Sequence, residues 1–264
     1  MEITFIVSIF NQLKNLTIMQ IQKGNKIGDV VAGNFKTAQV FETLGLDFCC
    51  GGKKTINDAC IEKGLDPESV IEQLSKAEGR STSSEHFDKW EADFLIDYIV
   101  NNHHNYVRSS SSTIEHHLDK VVTAHGMRHP ELIKIKSIFA ELKDELLQHM
   151  QKEEKMLFPY IKNMYTALHH SMKMNTAPFG SVNNPLKVME SEHVAAGNMM
   201  AEINSLSSGY TPPGNACGTY KVLFGELKEF EQDLHQHVHL ENNILFPKAV
   251  KMEAEINSGE ACTL

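Results

Sequence analysis

The stretch His149-Met150-Gln151-Lys152-Glu153-Glu154-Lys155-Met156-Leu157-Phe158-Pro159 returns 88 residues later as His237-Val238-His239-Leu240-Glu241-Asn242-Asn243-Ile244-Leu245-Phe246-Pro247. Both copies read His, then Glu four residues on, then Leu-Phe-Pro starting four further. Four residues on an α-helix turn about 40° past one full turn, at ~3.6 residues per turn. Each His and its Glu therefore point the same way. An imidazole above a carboxylate can bind one metal ion or bridge two, and the pair occurring twice points to two irons rather than one. A surface ion pair is the plain alternative, but it does not explain why the same Leu-Phe-Pro tail follows each copy.

Working outward, the flanking sequence predicts four helices over residues 85–125, 130–168, 185–206 and 218–253. Each carries apolar residues at helical spacing, such as Ile133, Ile138, Leu142 and Leu146 in the second and Leu223, Leu227, Phe230 and Leu234 in the fourth. Ser109 to Ser112 lower the propensity of the first helix locally. Pro159 is expected to kink or loosen the second. Four helices joined by irregular connections make a bundle. The doubling extends beyond the motif, since His104 precedes His149 by 45 residues and His193 precedes His237 by 44. Each half is then a helical hairpin, and stacking the two would place four His and two Glu around one cavity. Spacing alone does not separate His104 from His103. His125 has no counterpart in the second half, where the equivalent position falls near Pro213, and an extra His on one side would leave an open coordination position on the other.

The remaining histidines read differently. His86, His116, His117, His129, His169 and His170 fit no repeat and read as solvated. His235 and His239 lie about 160° from His237 on a helical wheel, taking ~100° per residue, and are expected on the outer face. Glu154 is expected in solvent. Glu190 and Glu192 are candidates to orient an imidazole from behind.

Residues 24–78 predict a small helical unit, with 1–23 as a leader, 79–85 as a small polar linker and 254–264 as a tail. Within the unit, Gly28, Gly33 and Gly45 punctuate short amphipathic helices. In Asp47-Phe48-Cys49-Cys50-Gly51-Gly52-Lys53 the glycines permit a tight turn. Thr55 or Asn57 could cap the helix that follows, and Asp66-Pro67-Glu68 opens another. Cys49 and Cys50 are either small turn residues or a redox or metal-handling thiol pair. For the second reading, Lys53 and a nearby helix N-terminus are expected to depress the thiol pKa. Cys60 reads as a buried core residue.

Composition narrows the classes of function. The net charge of −9 leaves no basic surplus for nucleic acid. Five Cys, two of them adjacent, fit a reducing compartment better than a disulfide framework. The apolar run from Ile3 to Phe10 lacks a basic flank and is too short to span a bilayer, so a cytoplasmic protein with no membrane partner is expected.

Glu-Glu-Lys-Met-Leu-Phe-Pro at 153–159, Glu-Ser-Glu-His193 and His239-Leu-Glu241-Asn-Asn-Ile-Leu-Phe-Pro247 resemble the hemerythrin-like di-iron proteins that repair iron–sulfur clusters. Asp47-Phe-Cys49-Cys50-Gly-Gly-Lys53 is similar to the short N-terminal domain that the same family carries. The resemblance covers about residues 24–253 and departs from the family before Met19, in the loop at 173–184 and after Lys251. It implies an all-α fold, a hemerythrin-like four-helix bundle over 86–253 behind the small N-terminal domain. It implies a cytoplasmic stress-response protein, a homodimer, that restores clusters damaged by nitric oxide or peroxide. The family's ligand pattern falls on His104, His125, His149, Glu153, His193, His237 and Glu241, choosing His104 over His103 and making His125 an additional ligand.

The chemistry expected is two non-haem irons per chain, with Glu153 and Glu241 bridging them and the imidazoles capping them. A site with two carboxylate bridges opens when one bridge is protonated or displaced. Iron could then be donated to apo or damaged iron–sulfur proteins, with Cys49 and Cys50 as candidates for docking or transfer. Two other classes remain open. One is a carrier or sensor that binds oxygen or nitric oxide reversibly. The other is an enzyme that reduces nitric oxide or peroxide at the same irons, although nothing here resembles a flavin or haem site for its electron donor.

Overall fold

The computed structural model describes residues 21–78, 86–170, 172, 174 and 177–258. Most of the expected leader, the whole of the 79–85 linker and the end of the expected tail lie outside the described residues. Four short helices come first: α1 (Ile27–Gly33), α2 (Ala38–Thr43), α3 (Ile56–Lys63) and α4 (Pro67–Glu78). The expected caps divide as follows: the Thr55 side chain accepts the N–H of Asp58 at 3.1 Å, and Asp66 accepts those of Glu68 and Ser69 ahead of α4. Gly64 ends α3 in the left-handed conformation, φ 67°, which a Cβ would strain. Ile21 is buried in this unit's core beside Ile27, Phe41, Ile56, Cys60 and Leu74. The packed N-terminal unit thus begins before residue 24.

The bundle follows. Helix α5 (Ala92–Tyr98) widens through the π-helical segment Ile99–His104 and continues as α6 (Asn105–His125). Helix α7 (Glu131–Lys152) does the same through Glu153–Leu157 into α8 (Phe158–His169). A single helix, α9 (Asn183–Leu206), forms the third rod. The fourth is α10 (Gly218–Leu240), the π segment Glu241–Leu245 and α11 (Phe246–Ser258), which carries the helix five residues past the expected boundary at 253. In the ring of four, α7 packs between α6 and α9, and α10 closes the ring against both of those neighbours. The Ser109–Ser112 run does not break α6: the Ser109 and Ser110 hydroxyls donate to the Tyr106 carbonyl. The only extended pairing among the described residues is two isolated bridges, Lys26 with Thr55 and Ala177 with Gly180.

Two of the three π segments, Glu153–Leu157 and Glu241–Leu245, answer the problem set by the prolines. A proline inside an α-helix lacks the N–H for the carbonyl four residues back, and its ring crowds that carbonyl. Here Phe158 N–H reaches back five residues to the carbonyl of Glu153, and Phe246 N–H reaches that of Glu241. The wider turn lets Pro159 and Pro247 start the next α-helical run without a sharp break. The expected kink is thus a local widening, set at the two motif glutamates.

The core is split in two at this level. Below it, Val107, Leu118, Phe139, Leu146, Met200 and Phe230 pack together and are continuous with the core of the N-terminal helices. Above it, Leu95, Ile99, Leu157, Ile161, Met189 and Leu245 form a second cluster. A buried polar layer separates them.

Candidate metal centre

That layer contains His104, His149, Glu153, His193, His237 and Glu241, each no more than 3% exposed. His104 comes from the end of the first π segment, His149 from the last turn of α7, His193 from the middle of α9 and His237 from the last turn of α10. The two hairpins do not keep their own histidines together. Instead, the Nε2 atoms pair across them: His104 faces His237 at 3.2 Å, and His149 faces His193 at 3.0 Å.

Each glutamate reaches both pairs. Glu153 Oε2 lies 3.4 Å from His104 Nε2 and its Oε1 lies 3.3 Å from His149 Nε2. Glu241 Oε1 lies 3.2 Å from His237 Nε2 and its Oε2 lies 3.0 Å from His193 Nε2. The result is two four-residue groups, His104-Glu153-His237-Glu241 and His149-Glu153-His193-Glu241, that share both carboxylates.

The outer ring nitrogens fix which way the lone pairs point. His104 Nδ1 lies 2.6 Å from Glu154, His149 Nδ1 2.8 Å from Glu192 and His193 Nδ1 2.9 Å from the Asn242 side-chain oxygen. Each of these partners accepts, so each Nδ1 carries the hydrogen and each Nε2 presents a lone pair inward. Two lone pairs facing each other at 3 Å repel unless a cation lies between them. Both oxygens of Glu153 and Oε2 of Glu241 are buried with no hydrogen-bond donor of their own. Buried acceptors that converge without donors are what divalent or trivalent cations satisfy, so the residues fit a pair of metal ions. Imidazole and carboxylate together suit iron, and zinc fits less well with shared carboxylates in a bundle.

The electrostatics show the same stress. Burial alone would depress the His104 and His149 imidazoles, but Glu153 and Glu241 outweigh it, raising both and holding His149 up to about 9. Burial wins at His237, which is pulled down. Glu241 is held well below the usual carboxylate range: burial opposes this, but His237 and His193 outweigh it.

The Leu-Phe-Pro tail has a structural role. Phe158 stacks on the His104 ring at 5.7 Å and 18°, and Phe246 stacks on His193 at 6.0 Å and 7°. Each copy of the motif thus braces a histidine on a neighbouring helix, while its leucine enters the upper core.

Several residues stand elsewhere than the sequence suggested. His125, placed among the ligands by resemblance, ends α6, 21 residues beyond His104, and at ~1.5 Å per residue that is about 30 Å along the helix. Its Nε2 lies 3.2 Å from Sγ of Cys217 at the start of α10, and it takes no part in the buried cluster. Glu154 is not simply solvated, because it holds His104 and pairs with Arg108. Glu192 orients His149 rather than its neighbour His193. Asn242 went unread in the sequence because it falls between the matched positions of the repeat. His103, the residue spacing could not exclude, is buried but faces Asp233, 2.8 Å away.

The face of α10 expected in solvent is covered by the N-terminal unit. His239 is fully buried against Phe35 and Phe48, and burial holds its imidazole down at about 4, so it stays neutral. His235 packs on Phe48 and lies 3.5 Å from Glu42. Lys53 crosses to Glu190 of α9 at 2.6 Å. Cys49 and Cys50 sit in that junction, lining a cleft with Lys53, Glu190, Asn242 and Asn243. Their thiols lie 4.0 Å apart, and Asp47 accepts both backbone N–H groups and the Cys49 thiol. The expected depression of thiol pKa is reversed at Cys49. The Cys50 contact, burial and the Asp47 charge raise it well above the usual thiol range, and Lys53, committed to Glu190, does not offset them.

Among known proteins, residues 95–249 match the family described as the hemerythrin HHE cation binding domain, and residues 23–78 match one described as a domain of unknown function, DUF542. Over 232 residues the chain is 32% identical to the iron–sulfur cluster repair protein ScdA of Staphylococcus epidermidis, covering 86% of this chain and 99% of the relative. Similarity to the iron–sulfur cluster repair protein YtfE of Yersinia pestis is also 32% over 232 residues, 88% of this chain and 99% of that one. ScdA of Staphylococcus haemolyticus is 28% identical over 84% of this chain and 96% of its own.

Proposed function

Because the chain belongs to the iron–sulfur cluster repair family of hemerythrin-like proteins, we propose that it carries two non-haem irons and repairs damaged clusters by donating iron. The observation that supports this most directly is the sharing of Glu153 and Glu241 between two otherwise separate groups of donors. Bound there, iron supplies redox chemistry and a transferable ion. The chain's own residues do the rest. Glu154, Glu192 and Asn242 hold three imidazoles with their lone pairs inward, and Phe158 and Phe246 exclude water from two of those rings. Because each carboxylate serves both groups, displacement of one weakens both positions together, a property suited to release rather than to permanent storage.

Damaged or apo iron–sulfur proteins are the partners in this reading, and nitrosative or oxidative stress is the occasion. Cys49 and Cys50 take the role of docking or transfer at the junction cleft. No described helix is long and apolar enough to cross a membrane. The homodimer implied by family resemblance belongs to the same reading.

The experiment is iron analysis of protein purified without oxygen, followed by incubation with a cluster enzyme inactivated by nitric oxide. Two irons per chain and a revived enzyme support donation. Irons that stay bound while the client remains inactive would replace donation with binding or reduction of nitric oxide or oxygen at the same site. Cys49→Ser with Cys50→Ser should impair revival while leaving iron content intact.

A further inference from the structure

The cysteine loop carries a second set of metal-type donors, outside the buried layer of the bundle. Ligand atoms of Asp47, Cys49 and Cys50 all lie within 4.8 Å of one another. Cys49 Sγ is 3.2 Å from Asp47 Oδ1 and 4.0 Å from Cys50 Sγ. With metal–sulfur bonds of ~2.3 Å and metal–oxygen bonds of ~2.1 Å, a tetrahedral site sets sulfur about 3.6 Å from oxygen and about 3.8 Å from sulfur. The spacings in the loop depart from these by only a few tenths of an ångström. Three atoms so placed share a point no more than ~2.4 Å from each of them, close to a metal–sulfur bond.

The loop is shaped before any cation arrives. Asp47 Oδ1 accepts the backbone N–H groups of Cys49 and Cys50, each at 3.0 Å, which fixes the carboxylate against the turn that carries both thiols. Gly51 completes the turn, since a Cβ there would stand 2.7 Å from the Asp47 carbonyl oxygen. A disulfide is the other use of two thiols, but adjacent Cα atoms are ~3.8 Å apart and ordinary disulfides need at least ~4.4 Å. Lys53, on the same cleft, pairs with Glu190 instead of the thiols.

We propose that Asp47, Cys49 and Cys50 bind one divalent cation, ferrous iron as the cargo, with the remaining coordination position open to the junction cleft. Binding releases the two thiol protons to solvent and leaves three anionic ligands around the ion. Thiolates favour borderline and soft cations over magnesium and calcium. The open position lets a thiolate of the client bind the ion before the loop lets go. Asn242 lines this cleft and also holds His193, so the loop site and the His149–His193 group share a wall residue. With three ligands and an open face, the loop fills after the bundle and empties first, and iron kept through purification reports the bundle alone. The inference rests on the reading above only in taking iron as the cargo.

The test is an oxygen-free titration of the full-length protein with cobalt(II), followed by absorbance. The bundle centre offers nitrogen and oxygen donors, so a thiolate-to-cobalt charge-transfer band in the near ultraviolet reports cysteine. The band should saturate at one cobalt per chain, weaken in Cys49→Ser and in Cys50→Ser, and vanish in the double variant. Asp47→Asn keeps the turn and removes the charge, and should need at least about tenfold more cobalt. Cys217→Ser should leave the band as it is. Cobalt-edge X-ray absorption of the wild-type protein needs no variant and should show sulfur at bonding distance. A loaded bundle with no thiolate band, a band that survives the double variant, or a cobalt edge with only nitrogen and oxygen neighbours would overturn the proposal. A thiolate band in protein whose bundle takes up no iron would support the loop site while the functional reading fails.

Discussion

Asn242 accepts the Nδ1 hydrogen of His193 at 2.9 Å, and so ties a metal-facing ring to a stretch of helix that also touches the cysteine loop. Its neighbour Asn243 turns the other way and donates to the carbonyls of Phe48 and Cys49 at 3.2 and 3.0 Å. Two consecutive side chains thus connect the metal centre and the N-terminal unit.

Replacing Asn242 by Ala should weaken metal retention about ten- to a hundredfold, the usual cost of losing an orienting partner. Chelator competition at fixed pH measures it. Asn242→Asp, which keeps the acceptor, should recover most of the loss. An Asn242→Ala protein that holds metal like wild type would show that Phe246 alone suffices to orient His193.

Gly52 and Gly28 admit Asn243 because they lack a Cβ. A Cβ at either would stand 2.4 Å from Asn243 Oδ1, and at Gly52 it would also stand 2.7 Å from the Phe48 carbonyl. Gly52→Ala should therefore destabilise docking of the N-terminal unit by about 1–3 kcal/mol. The loss should appear in urea unfolding and as faster proteolysis of residues 21–78, with iron content retained.

His125→Ala should leave the iron-to-protein ratio unchanged, whereas His149→Ala should lower it sharply. Metal analysis of the two variants side by side decides this. Loss of iron from His125→Ala would mean that the loaded protein rearranges the end of α6.

Cys49 should resist alkylation at neutral pH. Its folded pKa is raised by Cys50, burial and Asp47, so the reactive thiolate is scarce below the ordinary thiol range and grows only as pH climbs past it. Iodoacetamide labelling followed by mass spectrometry from pH 7 to 10 should show a rate at Cys49 that keeps rising beyond pH 9. Rapid labelling at pH 7 would restore the activated-thiol reading.

Much of this architecture can be read from residue order, for identifiable reasons. The repeated His and Glu lie four apart on a helix, so a local rule carries them to one face, and the hairpin doubling brings the faces together. The orienting groups are only half legible because they act between helices: Glu192 is marked by its place beside His193 yet serves His149, and Glu154, expected in solvent, serves His104, contacts set by packing rather than by spacing. His239 was misplaced for a related reason. A helical wheel shows which side of α10 faces away from the metal, but not that α1 and the cysteine loop cover that side. His125 shows the converse limit, since resemblance transfers a residue type without its distance from the site.

The π segments have a consequence for how this protein can vary. Each is a dislocation in the crystallographer's sense: five residues complete the turn that four complete in the rods on either side, so one surplus residue is taken up locally. Deleting a single residue from Glu154–Met156 would heal the backbone into regular α-helix and leave the rod beyond it in nearly the same phase, with Leu157 and Ile161 still toward the upper core. It would also bring the Pro159 ring against a carbonyl four residues back, the clash that the wide turn avoids. The cost of such a deletion falls on the proline turn and on the Glu153 carboxylate beside it, and neither core is displaced.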